Sequence, residues 1–307
     1  MARLINMKNR YAVILAGGDG TRLQSMTRAI TGDNRPKQFV PVIGGQTLLD
    51  QTRRRVALSV TTSQTLFVVT QKHRQFYGSL AHEISPALLL QQPANKGTAP
   101  AILYALLHVA TKSPKAVVAL FPSDHYFADD EEFMSHIDIA FDAVRTQPET
   151  VTLLGITPTT PEKEYGWIEP ERSILSSAVR SITRVKRFWE KPSATVAASL
   201  MERGCLWNSF VMVGRVDALL RMTQAALPKL YADFNALTPS FETHALAELY
   251  SRIGDTNFSH EVLAQRPQDL AVMRVGDVGW SDVGEPSRVL ATLAHLGVQS
   301  QLAFSAS

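Results

Sequence analysis

In the first 156 residues, five short apolar stretches rich in β-formers alternate with longer segments of helical periodicity, which restricts the chain to few folds. The strand-like runs fall near 11–15, 65–70, 87–91, 116–121 and 151–156. The helical ones fall near 21–30, 47–59, 72–81, 97–111 and 130–146. Strands joined by helical crossovers pair in parallel, and each sheet face then needs a helical layer to cover it. The pattern predicts an α/β protein with a doubly wound, mostly parallel sheet. With 307 residues, 45% of them hydrophobic, the chain can bury a substantial core, as one large domain or two smaller ones.

After about residue 157 the rhythm changes. Pro158, Pro161, Gly166 and Pro170 punctuate a loop and hairpin, and a strand over 182–189 follows. Ser193 then caps a helix that Gly204 ends, further helices fill 215–251, and a last strand lies near 270–275. This reads as a hairpin and helical elaboration on the same sheet. Residues 1–307 are therefore expected to form a single domain, with one half to about 157 and a second half from 158. A domain boundary near 157 is the alternative.

The first strand, Tyr11-Ala12-Val13-Ile14-Leu15, feeds directly into Ala16-Gly17-Gly18-Asp19-Gly20-Thr21-Arg22. Three glycines there let backbone N–H groups crowd an anion. Thr21 is expected to cap the following helix, which leaves Arg22 in the first turn, where the helix dipole disfavours a cation unless an anion faces it. The spacing excludes two other glycine loops. The third glycine of a dinucleotide fingerprint is missing, and Arg22 occupies the place of the second P-loop glycine. A merely tight strand-to-helix turn accounts for a bare glycine cluster equally well. The neighbouring Arg22 and Lys37 tilt the reading toward phosphate.

Bulk charge excludes several partners. A net charge of +3, from 31 basic and 28 acidic residues without a block of either sign, does not describe a nucleic-acid or membrane-surface protein. Cys205 is the only cysteine, so no internal disulfide forms, and next to Leu206-Trp207 it reads as a small buried hydrophobe. Met1 to Lys8 lacks the apolar core of a signal peptide, and no apolar run is long enough to span a bilayer. A cytoplasmic protein is expected, and homo-oligomerisation stays open.

Ligands of open α/β sheets collect at the carboxyl ends of strands, where Phe121-Pro122-Ser123-Asp124-His125 follows the fourth expected strand. Taken alone, Asp124 is a turn former before it is a metal ligand. Asp282, in Trp280-Ser281-Asp282-Val283-Gly284, offers a second carboxylate for a hard cation such as Mg²⁺. Glu190 and Lys191 end a strand in Phe188-Trp189-Glu190-Lys191-Pro192, as a solvated pair or as ligands of a sugar phosphate. Tyr165-Gly166-Trp167-Ile168-Glu169 combines aromatics, a glycine and a carboxylate, the mixture that receives a sugar, although a hairpin turn has the same composition. Gln92 to Pro100, with Asn95, Thr98 and Ala99, offers amides and helix N-terminal donors to a nucleoside, or is simply a capped helix start. No His-Glu-x-x-His pair and no Gly-x-Ser-x-Gly elbow is present, so zinc and serine hydrolase chemistry lose ground.

Taken in order, these segments together with Arg35-Pro36-Lys37-Gln38-Phe39 and Trp207-Asn208-Ser209 resemble one family across about residues 11–290. It is the sugar-1-phosphate nucleotidyltransferases, and within them the guanylyltransferase branch acting on mannose 1-phosphate. The resemblance implies a Rossmann-like fold. It also implies synthesis of a nucleoside-diphosphate sugar and pyrophosphate from an NTP and a hexose 1-phosphate, here GTP and mannose 1-phosphate, with Mg²⁺. Leu15, Ala16, Gly17, Gly18, Gly20, Thr21 and Arg22 would hold the nucleotide phosphates, and Asn95, Thr98 and Ala99 the nucleoside. Arg22, Lys37 and Lys191 would be the catalytic cations, with Lys37 bridging phosphates. Tyr165, Gly166, Glu190, Lys191 and Asn208 would hold the sugar phosphate, and Asp124 and Asp282 the metal. The chain departs from the family pattern at Lys96, where arginine is usual, and at Phe210, where glycine is expected. It ends soon after Asp282, so no appended β-helix or isomerase module is expected. The alternatives are the same reaction on another hexose 1-phosphate or NTP, and a non-catalytic paralogue that senses a nucleotide sugar.

Overall fold

A computed structural model describes residues 9–41, 45–172 and 181–295; the Met1 to Lys8 stretch read above for a leader lies outside them. Among the described residues nine strands form one sheet: β1 (Arg10–Leu15), β2 (Thr65–Thr70), β3 (Leu89–Gln92), β4 (Val117–Pro122), β5 (Val151–Ile156), β6 (Gly166–Pro170), β7 (Ile182–Glu190), β8 (Leu206–Arg215) and β9 (Leu270–Arg274). Their order is β3-β2-β1-β4-β8-β5-β9-β7-β6.

The first half pairs in parallel as expected, β1 with β2 and β4, and β2 with β3. The second half corrects the mostly parallel expectation. β8 enters between β4 and β5 antiparallel to both, and β7 is antiparallel to β6 and β9. Only β5 and β9 add a parallel pair there, so the sheet is mixed. β6 also pairs with the start of β8, and the circuit β8-β5-β9-β7-β6 closes on itself. The strand that does this is buried along most of its length, yet Asn208 and Ser209 break its apolar pattern. Where β5 advances from Leu153 to Gly155, β8 runs from Met212 to Asn208, so β8 carries a bulge. Phe210 sits within that bulge in the left-handed region, at φ 60°.

Alternation along the strands feeds two cores. In β1, Val13 joins one apolar cluster while Ala12 and Ile14 join the other. The first cluster holds the helix Thr98–Lys112, which is apolar on nearly every side because further helices, beginning with Val216–Ala226, cover its outer face. The second takes the helices Leu48–Val56, Asp130–Ala143 and Ala194–Glu202. Caps fix where helices begin. The Thr47, Asp129 and Ser193 side chains accept from the backbone N–H of Asp50, Glu132 and Val196. Thr21 does not cap. Gly20, left-handed at φ 60°, precedes a 3₁₀ turn at Thr21–Leu23, and the α-helix starts at Gln24. Among the described residues, no helix is long and apolar enough to cross a membrane.

Candidate active site

A cavity of about 390 Å³ opens at the carboxyl ends of β1 and β4, between the glycine loop and the start of the helix Thr98–Lys112. Leu15, Gly17, Gly18, Asn95 and Thr98 line it on the first-half side, and Asp124 and Glu190 also face it. The loop is held from beneath. Gln38 Nε2 donates to the carbonyls of Ala16 (3.1 Å) and Gly18 (2.9 Å), and Thr70 Oγ1 donates to that of Gly17 (2.8 Å). A Cβ at Gly17 would stand 2.7 Å from Gln92 Nε2, and one at Gly20 would stand 3.0 Å from the Lys37 backbone nitrogen. At Gly20 the left-handed φ and the backbone contact together require glycine, whereas a side chain at Gly17 would have to displace the Gln92 amide. Asp19, whose charge would repel a phosphate, is turned aside. It ion-pairs with Lys72, lies 3.2 Å from His73 Nε2 and accepts from Asn95 Nδ2 (3.0 Å). Burial raises its carboxyl, but these partners hold it below the usual carboxylate value.

Ala16 and Ala99 lie under the cavity and not on it, which corrects their assignment as nucleotide contacts. Both are fully buried, and their N–H groups donate to Val68 and Thr256 carbonyls. Thr98 Oγ1 accepts from Phe258 N (2.8 Å), so the helix start is tied to the segment 256–258. A π-helical turn, Ser259–Leu263, follows it, and Asn257 and Ser259 complete that wall. Gly20, Thr21 and Arg22 stand outside the cavity lining. Arg22 is exposed, with a loose ion pair to Glu164 at 3.9 Å.

The loops that carry the two aspartates are stitched together. Tyr126 N donates to Ser281 O (2.8 Å) and Ser281 N to Tyr126 O (3.0 Å), a single antiparallel bridge between the loops after β4 and β9. Lys37 completes the stitch. Its ammonium lies 3.1 Å from Asp124 Oδ2 and donates to the carbonyls of Asp282 (2.7 Å) and Val283 (3.2 Å). Lys37 is expected to bridge phosphates; here its three N–H groups meet acceptors of the protein itself, the geometry of a tether between the two loops. Burial alone would raise the Asp124 carboxyl, and Lys37 pulls it below the ordinary value.

Asp282 is equally well held. Its Oδ1 accepts from Tyr165 OH (2.9 Å) and Gly284 N (3.1 Å), and Arg288 Nε lies 3.0 Å away. His125 stays neutral, its pKa lowered to about 4 by burial, and its Nδ1 accepts from Trp280 Nε1 (3.3 Å). Among the described residues no cluster of three or more His, Cys, Asp or Glu gathers for a metal. Two carboxylates completed by substrate oxygens are what Mg²⁺ asks of a protein, and Asp124 with Oδ2 of Asp282 fits that donor set.

The expected sugar residues fall together. A Cβ on Gly166 would meet Glu190 Oε2 at 3.1 Å and Asn208 Cβ at 3.3 Å. Burial raises the Glu190 carboxyl despite Lys191 and His260. Tyr165 packs edge-on against Trp207 and Trp280, with centroids 5.0 and 5.3 Å away, and leans toward Asp282. Lys191 is exposed beside Glu190, at φ 45°. Sequence reasoning passed over Gln38, Gln92, His125 and Arg288 as site residues. The first three stand in motifs already singled out, whereas Arg288 carries no local signal.

A mixed α/β sheet whose first strand opens into a glycine loop, with Asp124 at the end of a neighbouring strand on the same cavity, has the layout of a ligand site at strand ends. Residues 11–297 match the family described as nucleotidyl transferase, and the chain belongs to that family. It is 29% identical over 294 residues to the xanthan biosynthesis protein XanB of Xanthomonas campestris pv. campestris (strain B100), covering 92% of this chain and 59% of that one. A mannose-1-phosphate guanylyltransferase of Salmonella montevideo is 28% identical over 284 residues, covering 89% and 57%. The chain thus spans just under three-fifths of the length of these curated relatives. Among solved structures, the mannose-1-phosphate geranyltransferase from Thermus thermophilus superposes with a TM-score of 0.78 at 28% identity, over 90% of this chain and 76% of that one.

Proposed function

We propose that this protein joins a nucleoside triphosphate to a hexose 1-phosphate and releases pyrophosphate, with GTP and mannose 1-phosphate as the substrate pair. The observation that carries the reaction is the stitched pair of aspartate loops beside the glycine-loop cavity. The names of the similar guanylyltransferases support the choice of substrates. Both halves of the chain act as one catalytic unit in this reading, in the cytoplasm and without nucleic acid or membrane partners.

An oxygen of the sugar phosphate attacks the α-phosphorus in line. A new P–O bond forms there, the bond from the α-phosphorus to the bridging oxygen breaks, and pyrophosphate leaves with that oxygen. The attacking oxygen is already anionic, so the protein supplies alignment and charge neutralisation and no nucleophile of its own. The glycine loop receives the triphosphate, and exposed Arg22 swings onto the departing pyrophosphate. Lys191 positions the attacking phosphate. Glu190, Gly166, Asn208 and Tyr165 hold the sugar. Asp124 and Asp282 would hold Mg²⁺, which supplies Lewis-acid neutralisation of phosphate charge when bound. Lys37 and Arg288 act by positioning those carboxylates.

Pyrophosphate release over a grid of nucleoside triphosphates against hexose 1-phosphates tests the reading. Highest kcat/KM for GTP with mannose 1-phosphate is expected. Another preferred pair revises the substrates, and binding of nucleotide sugar without turnover of any pair overturns the enzyme.

A further inference from the structure

Four described residues other than glycine have positive φ, and three of them stand at this site: Lys191, Phe210 and Val283. Such departures collect where a structure needs a side chain or carbonyl at a special place. Lys191 follows Glu190, and the Val283 carbonyl receives Lys37, so both conformations serve contacts already described. Phe210 is different. At φ 60° it holds a bulky ring in a region that glycine enters freely and large side chains avoid.

The turn itself does not need the ring. Phe210 N donates to Asn208 Oδ1 (3.1 Å), Ser209 Oγ donates to Leu154 O (2.6 Å), and Val211 N donates to Ser209 Oγ (3.2 Å). None of these bonds uses the side chain of Phe210, and glycine would keep them all. What the ring adds is a wall: Phe210 lines the cavity at the end where Glu190, the one expected sugar residue on that lining, faces the glycine loop and the start of the helix at Thr98, and it packs, half-buried, against the core on that face.

We infer that Phe210 is a specificity-determining residue whose ring limits the size of the substituents tolerated on the hexose. This rests on the reading of the cavity as a sugar-phosphate nucleotidyl transfer site. An apolar wall discriminates by volume, and a difference of a single methylene in such a pocket is worth about 10-fold or more in selectivity. A hexose carrying an added acetamido group is therefore the probe of that volume.

The experiment compares wild type, F210A and F210G, with GTP and either a hexose 1-phosphate or its 2-acetamido counterpart. F210A removes the ring while keeping a strained Cβ, and F210G removes both, so a folded variant remains even if the methyl is not tolerated. The ratio of kcat/KM should move toward the acetamido substrate about 10-fold or more in both variants. A ratio unchanged within about twofold, with the wild type active, overturns the inference and leaves the proposed function standing. If the wild type turns over neither sugar, GTP with that hexose 1-phosphate falls as the proposed substrate pair. Calorimetric affinities of the two sugar phosphates then read the wall directly: a shifted affinity ratio supports it and an unchanged one overturns it.

Discussion

Replacing Lys37 with methionine keeps the apolar stem and removes the ammonium, so it tests whether this lysine is a tether or a phosphate contact. The Lys37 side chain is only 10% exposed, and its loss strands the carbonyls of Asp282 and Val283. A buried acceptor left without a partner costs about 1–3 kcal/mol, and the Asp282 carbonyl is only partly buried, so the two together cost about 2–4 kcal/mol. Asp124, with 31% of its side chain exposed, recovers solvation and adds about 1 kcal/mol or less. The sum is about 3 kcal/mol. In a chain of this size that lowers the Tm by about 6 °C. Slackened loops also displace both aspartates, and misplacement of about 1 Å costs about 100-fold in rate. Thermal unfolding followed by near-ultraviolet circular dichroism gives the first quantity, and pyrophosphate release at 25 °C gives the second. A Tm within about 1 °C of wild type refutes the tether. Unchanged stability with abolished turnover would place Lys37 on the substrate phosphates instead.

Asp124→Asn and Asp282→Asn should each lower pyrophosphate release by at least about 100-fold, and each should also lower the Tm, because Lys37 or Arg288, 10% and 16% exposed, loses its ion-pair partner. Near-normal release at saturating Mg²⁺ from either variant would remove that residue from the metal site. Gly97→Ala should destabilise by about 1–3 kcal/mol in urea titration: Gly97 sits at φ 85°, and its new methyl would press well inside contact distance of the Thr256 carbonyl. Cys205 is buried and its thiol is pushed up to about 11, first of all by burial, so Ellman's reagent at pH 8 should label it only after unfolding. Its raised pKa has a definite sign. The stabilisation is full below the unfolded thiol pKa near 9 and declines as pH rises toward 11, so Cys205→Ala should lose less stability than wild type across that window.

Much of the frame was legible along the chain. β2 and β5 match their predicted spans, and Ser193 and Gly204 bracket their helix as expected, because burial periodicity and capping are local properties. Thr21 misled because a left-handed glycine and a 3₁₀ turn leave its side chain no N–H to cap. β8 escaped for a related reason. Its polar Asn208-Ser209 pair and bulged Phe210 break the alternation that marks a strand, although it sits in the centre of the sheet.

The sequence by itself determined which loops end strands, and so which residues could approach a ligand. It also placed the glycines in the first of those loops, where the folded packing against Gln92 and Lys37 uses them. Only the tertiary structure decided who meets whom. Lys37 and Asp282 lie 245 residues apart, and their bond depends on a two-residue bridge between loops that no local pattern announces. The tertiary structure also decided that Ala16 and Ala99 spend their N–H groups inside, and that Arg288 reaches Asp282 from a helix beyond the last motif. Local propensity is written in neighbouring residues, whereas the desolvation and pairing of charge that make a site depend on what the folded sheet brings across it.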